Sequence, residues 1–289
     1  MRELNSRVSY DAASALMQGK RAAQEDALVS DFQDGSDFGF LVLSDGMGGH
    51  DAGDVASRII VTEVFGDIKR QTRNGGMSGE NVADILSGAA MAANLRLRDH
   101  SAAHPKTAGM GATLLALILM SDRLFWISIG DSPLFLFRDG KLSQLNEDHS
   151  LAPQIDYLVK TGVISETEGR DHPDRNCLTS ALLGEDIPRI DCSAEPFRLQ
   201  SGDLAIAASD GLQFVSNSHI EQVLAANSGA PSTEIANALL AEIKKLDHPY
   251  QDNVGFTVVK IQDTADSHRC SRHTASARRE SMRSSIGLS

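Results

Sequence analysis

Cysteine is scarce in this sequence, with 3 residues among 289. They stand at Cys177, Cys192 and Cys270, so their odd number and wide spacing fit neither a disulfide framework nor a zinc cluster. Structural disulfides belong to oxidising compartments. The cysteine pattern therefore predicts a reducing environment and a cytoplasmic location.

Long apolar runs are also missing. The longest, residues 112–120, is much shorter than the roughly 20 residues that a membrane-spanning helix needs. The first residues, MRELN, contain no apolar signal region. The sequence therefore predicts a soluble chain without a membrane span.

Positive charge is in short supply, and the formal net charge is −12. The segment after Ile261 carries five arginines against three acidic residues, so residues 1–261 have a net charge of −14. An acidic body excludes most nucleic-acid-binding functions, because phosphate backbones attract basic surfaces. It is compatible with a site where carboxylates surround cations.

The stretch FGFLVLSDGMGGH, residues 38–50, organises the chain. Its apolar first half predicts a buried strand that ends at Asp45. Three glycines among the next four residues allow a tight turn and close approach to a ligand. A carboxylate beside a glycine carbonyl offers hard oxygen ligands that suit magnesium or manganese. An Asp-Gly pair is equally typical of a plain turn, so this stretch alone leaves both interpretations open.

Similar aspartates recur along the chain, each next to an apolar strand and beside Gly or Asn. They are Asp45, Asp131, Asp210 and Asp252. Together with Glu25 and Asp26, they suggest strand ends that converge on one acidic pocket. Carboxylates this close repel one another unless cations neutralise them. Glu25 and Asp26 are neighbours on a predicted strand, so their side chains must face opposite sides.

The rest of the chain is predicted to contain helices, strands, an inserted flap and a tail. Long amphipathic helices are predicted over residues 50–73 and 80–100, and Asp139-Gly140 predicts a hairpin within a strand-rich region. Residues 146–175 are polar and broken, which predicts an inserted flap with a capping box at Ser165. Further strands are predicted at residues 190–197, 203–208 and 254–261. We expect a catalytic domain over residues 1–261 and a disordered Ser/Arg-rich tail over 262–289.

Several motifs follow one another along the chain: GKRAAQEDA, LSDGMGGHDAGDVAS, GATLLALIL, ISIGDSPLFLFRDGKLSQLNEDHSL, LTSALLG, ASDGL and DNVGFTVVKI. In this order they resemble the metal-dependent protein phosphatases of the protein phosphatase 2C type, in their bacterial branch. The resemblance covers roughly residues 8–261. Each motif is weak alone, but the ordered set is specific.

The resemblance implies an α+β fold, a four-layer α-β-β-α sandwich of two antiparallel sheets flanked by helices. It also implies two Mn²⁺ or Mg²⁺ ions at one end of the sandwich. Asp45 would bridge the ions, and Arg21 would grip the substrate phosphate. Gly46 and Glu25 would serve one ion, Asp210 and Asp252 the other, and Asp26 would hold a water. Such a site hydrolyses phosphoserine or phosphothreonine by direct attack of a water that bridges the two ions.

The sequence departs from the family pattern at three positions. Pro133 follows Gly-Asp-Ser where arginine is common, and Phe214 stands where some members supply an aspartate to a third ion. Asp131 remains a candidate ligand for such a third ion. Met47 replaces the histidine of the eukaryotic branch, which leaves the general acid unidentified. His50 is a candidate general acid, although a lone histidine is more often structural or solvent-facing than catalytic.

Two other classes compete with an active phosphatase. A catalytically weak module of the same fold could sense phosphoproteins, although Asp45, Asp210 and Asp252 are all retained. A nucleotide-binding loop at residues 45–49 lacks the Lys-Ser/Thr ending of a P-loop. By analogy alone, the expected partners are phosphorylated proteins, including a Ser/Thr kinase and its targets, and not nucleic acid.

Overall fold

The computed structural model of this chain describes residues 8–33, 35–48 and 52–264. His50, the candidate general acid, lies outside the described residues. So does most of the predicted tail, residues 265–289.

Two antiparallel sheets form the middle of the fold, and helices cover them. The strands are β1 (Val8–Met17), β2 (Asp26–Phe32), β3 (Phe38–Met47), β4 (Gly111–Ala112), β5 (Leu114–Met120), β6 (Arg123–Ile129), β7 (Leu134–Arg138), β8 (Lys141–Gln144), β9 (Asp191–Cys192), β10 (Phe197–Arg198), β11 (Leu204–Ala208) and β12 (Val254–Asp263). The helices are α1 (Ala52–Arg73), α2 (Val82–Ala103), α3 (Ala152–Lys160), α4 (Glu166–Arg170), α5 (Asn217–Asn227) and α6 (Ser232–Leu246).

The first sheet has the order β1-β12-β11-β7-β8. The second has the order β10-β6-β5-β3-β2, with β4 paired to β3 and β9 paired to β6. Strands β1 and β12 pair along ten residues, from Val8 opposite Asp263 to Met17 opposite Val254. The two ends of the described chain therefore close one edge of the first sheet.

Side-chain alternation along the strands builds three apolar layers. Along β5, Leu115, Leu117 and Leu119 pack between the sheets, whereas Ala116 and Ile118 face α1 and α2. The outer face of the first sheet packs against α5 and α6. Since each buried aliphatic or aromatic side chain contributes about 1.5–3 kcal/mol, these layers can hold costly polar groups in place. The predicted four-layer α-β-β-α sandwich is confirmed.

Most predicted elements are present with small changes in their bounds. Asp139 and Gly140 form the predicted hairpin turn, with φ of 51° and 79°. Residues 146–175, the predicted flap, contain α3 and α4, and the capping box between Ser165 and Glu168 is formed.

The predicted strand over residues 190–197 is wrong, because it is broken into β9 and β10. Ser193 binds Trp126 of β6 through its hydroxyl at 2.8 Å. Pro196 follows shortly after and has no N–H to give to a ladder.

Strand β12 continues two residues beyond the predicted boundary at Ile261. Gln262 and Asp263 pair with Ser9 and Val8 of β1. In the part of the chain that the structure describes, no helix has both the length and the apolarity to cross a lipid bilayer.

Candidate metal centre

The strand ends that carry the predicted aspartates meet at one edge of the sandwich. Asp26 at the start of β2 lies directly opposite Asp45 near the end of β3. Asp131 follows β6, which runs in the same direction as β3 because both pair antiparallel with β5. In the other sheet, Asp210 follows β11 and Asp252 precedes β12, its antiparallel partner. The topology thus gathers all five carboxylates.

Glu25 and Asp26 approach this edge from opposite sides, as the strand alternation predicts. The side chain of Asp26 points toward the other sheet and accepts a hydrogen bond from Ser209 Oγ at 2.7 Å. The Glu25 carboxylate lies against the first turn of α1, where a Cβ on Gly53 would come within 2.4 Å of its Oε1. Asp26 is buried, whereas Glu25 is half-buried.

Two glycines allow α1 to approach the end of β3 closely. A Cβ on Gly46 would lie 2.0 Å from the Gly53 carbonyl oxygen, a distance that no side chain can occupy. The Gly46 N–H donates to the Glu25 carbonyl at 3.1 Å. Glu25, Gly46 and the start of α1 therefore form one tightly packed unit. That Glu25 and Gly46 serve the same ion, as the resemblance implies, stays a prediction.

Three polar residues that the sequence reasoning missed position the acidic groups. Thr113 holds the backbone of Asp45 from both sides, through its N–H and its Oγ1, at 2.9 Å each. Asn253 Oδ1 accepts the Glu25 N–H at 2.8 Å, and Ser209 binds Asp26. Ser209 and Asn253 each stand beside a predicted aspartate, which is the signal that could have identified them. Thr113 carries no such signal.

Loss of solvent and mutual repulsion raise the pKa values of these carboxyl groups. Burial, followed by the charges of Asp210 and other neighbours and opposed by the Ser209 hydrogen bond, raises the pKa of Asp26 to about 7. Burial and the charges of Asp210 and Asp148 raise the pKa of Asp131 to about 8. The pKa of Asp45 is raised well above its ordinary value by burial and then by its acidic neighbours. The pKa of Asp210 is raised by burial and Asp252.

The acidic groups interact with one another and with Arg21. Asp210 is among the charges that raise the pKa of Asp45, and Asp252 Oδ2 binds Arg21 Nη2 at 2.5 Å. Among the described residues, no group of three or more His, Cys, Asp or Glu side chains is already arranged around one point as metal ligands.

The donor set nevertheless fits hard divalent ions. One carboxylate oxygen each of Asp26 and Asp210, the Oδ1 atoms, is buried without a hydrogen-bond partner. Burial of an unsatisfied carboxylate oxygen is costly, so each of these atoms is suited to bind a cation or to accept a hydrogen bond. The surrounding donors are oxygens, which favours magnesium or manganese over zinc.

The strand ends that carry Asp26, Asp45, Asp131, Asp210 and Asp252 are called the acidic edge. A cavity of about 650 Å³ adjoins this acidic edge and extends to the predicted flap. Asp131 and Asp210 line it on one side, with Phe214 beside them, and Arg175 of the predicted flap faces it. Phe214 therefore contributes a ring, not an oxygen, to the cavity that Asp131 also lines. Met47, at the end of β3, pairs with Gly111 and supplies no proton donor.

Comparison with known proteins places the chain in a family. The family model described as protein phosphatase 2C matches residues 18–243. The serine/threonine phosphatase stp of Listeria monocytogenes serotype 4b is 34% identical over 185 residues, which cover 64% of this chain and 71% of that protein. The Mycobacterium tuberculosis serine/threonine phosphatase PstP is 33% identical over 173 residues, covering 60% of this chain but 31% of PstP.

Solved structures of the same fold cover most of the chain. A crystal structure of M. tuberculosis PstP/Ppp superposes with a TM-score of 0.73 at 28% identity, covering 88% of this chain and 99% of that one. The PstP catalytic domain in complex with 2 manganese ions gives a TM-score of 0.70 at 28% identity, covering 89% and 100% of the two chains. The family match spans well over half of the sequence, and the chain belongs to the bacterial branch of the protein phosphatase 2C family of serine/threonine phosphatases.

Proposed function

We propose that this protein hydrolyses phosphoserine and phosphothreonine in other proteins by direct attack of water, without a phosphoenzyme. The observation that carries the proposal is the convergence of five aspartates from two sheets on one edge, with an exposed arginine beside them. Such a constellation is costly for a merely structural protein, because like charges gathered in a partly buried site repel one another.

The carboxylates and one carbonyl would hold two ions, Mn²⁺ or Mg²⁺. In this assignment Asp45 would serve both ions, the Gly46 carbonyl and Glu25 would serve one, and Asp210 and Asp252 would serve the other. When bound, the ions supply a nucleophilic water of lowered pKa and neutralise the charge of the phosphate. A third ion at Asp131 stays a prediction, and Phe214 removes one oxygen that some family members provide there.

The protein's own groups orient the reaction. The Arg21 side chain is 54% exposed and lies at the acidic edge, so its guanidinium can bind a phosphate as a two-pronged donor. Buried Asp26, held by Ser209, keeps one oxygen free to accept from a water in the site. Thr113 fixes the backbone of Asp45, which keeps its carboxylate in register with Asp26.

We also infer that the substrates include a Ser/Thr kinase and its targets, and that the protein acts in the cytoplasm. The family supports phosphorylated proteins as substrates. The free cysteines Cys177 and Cys192 support a reducing compartment.

The test is phosphate release from a phosphothreonine peptide and from para-nitrophenyl phosphate. We expect turnover of both with Mn²⁺, and loss of turnover after exhaustive chelation that Mn²⁺ restores. Full turnover in chelated protein would refute the two-ion site. Phosphopeptide binding with no turnover under any metal condition would favour the phosphoprotein-sensing module.

Replacing Arg21 should separate phosphate binding from metal binding. We expect Arg21→Ala to raise KM for both substrates by about tenfold or more, as loss of charged hydrogen bonds implies. Arg21 forms an ion pair with Asp252, which is a proposed metal ligand. Because Arg21→Ala removes this competing pair, the affinity for Mn²⁺ should stay constant or increase. Arg21→Lys should restore activity only in part, since an ammonium group cannot donate as a fork.

Lys20→Ala is the matched control. Lys20 is the neighbouring cation. Its exposed side chain forms an ion pair with Asp247, with 2.8 Å between Lys20 Nζ and Asp247 Oδ1, and not with the acidic residues of the site. Steady-state kinetics and calorimetric titration with Mn²⁺ measure the two effects. Unchanged KM and kcat in Arg21→Ala would contradict the assignment of Arg21.

A further inference from the structure

A row of three aromatic rings runs outward from the acidic edge. We infer that Phe214, His248 and Tyr250 form a subsite for an apolar side chain of the phosphoprotein substrate, close to the phosphorylated residue. This inference rests on the proposed function and specifies which substrates the site prefers.

The three rings are in contact. The Phe214 and His248 rings have centroids 4.9 Å apart at 63°, an edge-to-face arrangement. His248 and Tyr250 follow at 6.1 Å and 60°. Rings that pack edge to face stabilise each other, so Phe214 and His248 form a fixed pair with the Tyr250 ring beside it.

The row begins in the candidate active site. Phe214 lines the same cavity of about 650 Å³ as Asp131 and Asp210. It closes the short 3-10 helix Asp210–Phe214, so its position is tied to that of the Asp210 carboxylate.

The loop that carries Tyr250, at the outer end of the row, is hydrogen-bonded to two segments of the site. Gln251, next to Tyr250, donates from Nε2 to the carbonyl of Gly211 at 3.1 Å. The Gln251 carbonyl accepts from the Lys20 N–H at 2.8 Å, one residue before Arg21. The row therefore starts beside Asp210 and ends on a loop that is bonded to the segment carrying Arg21.

Exposure shows which part of the row a substrate can reach. Tyr250 is 80% exposed, and Phe214 and His248 are half-buried. Exposed tyrosines combine apolar area with low conformational entropy and are common at recognition surfaces. The other groups around the cavity, among them Asp148, Asp156 and Arg175, are largely polar. An apolar side chain would thus gain contact area on the aromatic row and not on these polar groups.

The occupant is a segment of the phosphoprotein, because the row is continuous with the site that takes the phosphorylated residue. A peptide whose phosphate lies near Arg21 has flanking side chains that can reach the row, which begins in the cavity at Phe214. A small phosphate ester has no flanking side chain.

The experiment uses the full chain with Mn²⁺ and a set of phosphothreonine peptides. In each peptide one flanking position carries Leu, Ser or Lys, and para-nitrophenyl phosphate serves as the small ester. At one or more positions, we expect kcat/KM to be about five- to tenfold higher with Leu than with Ser, a typical gain for filling an apolar subsite.

Two variants and one control then locate the effect. Tyr250→Ala and Phe214→Ala should reduce the preference for Leu to less than about twofold. Tyr250→Ala removes an exposed side chain, so it keeps the fold even if Phe214→Ala does not. Tyr157→Ala on α3 removes another exposed tyrosine, 65% accessible and outside the row, and should keep the preference. Hydrolysis of the small ester should be nearly unchanged in Tyr250→Ala.

Three results would overturn the subsite: no preference for Leu, a preference for Lys, or a Leu preference that survives in Tyr250→Ala. Wild-type protein that is inactive on every ester with Mn²⁺ would refute the proposed function itself. Activity on the small ester without peptide discrimination would refute only the subsite.

Discussion

Asp45→Asn should abolish Mn²⁺-dependent phosphate release and yet leave the metal-free protein at least as stable as the wild type. Asp45 lies opposite Asp26, and burial and acidic neighbours raise the pKa of its carboxyl group, so an amide there replaces a side chain whose charged form is disfavoured. Removal of a like charge relieves repulsion when no cation is present. The same change deletes the ligand proposed to lie between the ions, and turnover should fall by more than about 100-fold.

Thermal unfolding in the presence and absence of Mn²⁺ separates these two effects. At 100 times its Kd, an ion that binds only the folded state adds about 2.7 kcal/mol of stability. For a domain of this size that corresponds to a rise in Tm of roughly 5–10 °C. We expect this rise in the wild type and little of it in Asp45→Asn.

Asp99→Asn is the matched control, because Asp99 is an exposed carboxylate on α2 whose side chain is 66% accessible. It should keep both activity and the Mn²⁺-induced rise in Tm. An Asp45→Asn protein that retains a wild-type Tm shift would show that Asp45 holds no ion.

Gly53→Ala should strongly destabilise the protein, although alanine is usually favoured over glycine inside a helix. The new Cβ would lie 2.4 Å from the Glu25 Oε1 and 2.9 Å from the Gly46 carbonyl carbon. The helix must then move away from β3, or Glu25 must leave its position. Overpacking of this kind costs about 1–3 kcal/mol, and activity should fall with it because Glu25 and Gly46 are proposed ligands.

Gly66→Ala in the same helix provides the control. A Cβ at Gly66 meets no atom within 4 Å. The higher helix propensity of alanine should therefore add up to about 1 kcal/mol to the stability of Gly66→Ala. Urea denaturation midpoints of the two variants should move in opposite directions. A Gly53→Ala protein as stable and active as Gly66→Ala would mean that the close approach of α1 to β3 is not required.

Local sequence determined the elements that carry the site. An apolar run that ends at Asp45 and then enters glycines specifies a strand followed by a tight turn, wherever the strand lies in the protein. The Asp139-Gly140 hairpin and the Ser165 capping box follow from the same short-range chemistry. Glycine at position 46 was also readable as a position of close approach, although its neighbour Gly53 was not.

Only the tertiary structure decided which groups meet. Arg21 and Asp252 are 231 positions apart, and Asp26 and Ser209 are 183 apart, so no local pattern could pair them. Thr113 holds Asp45 because β4 and β5 lie beside β3, not because of any motif around it. Phe214 was visible in the sequence only as a missing aspartate, and its contact with His248 required the folded chain. Sequence periodicity is a local property, whereas these contacts depend on strand order and register, which the packing of whole sheets and helices sets.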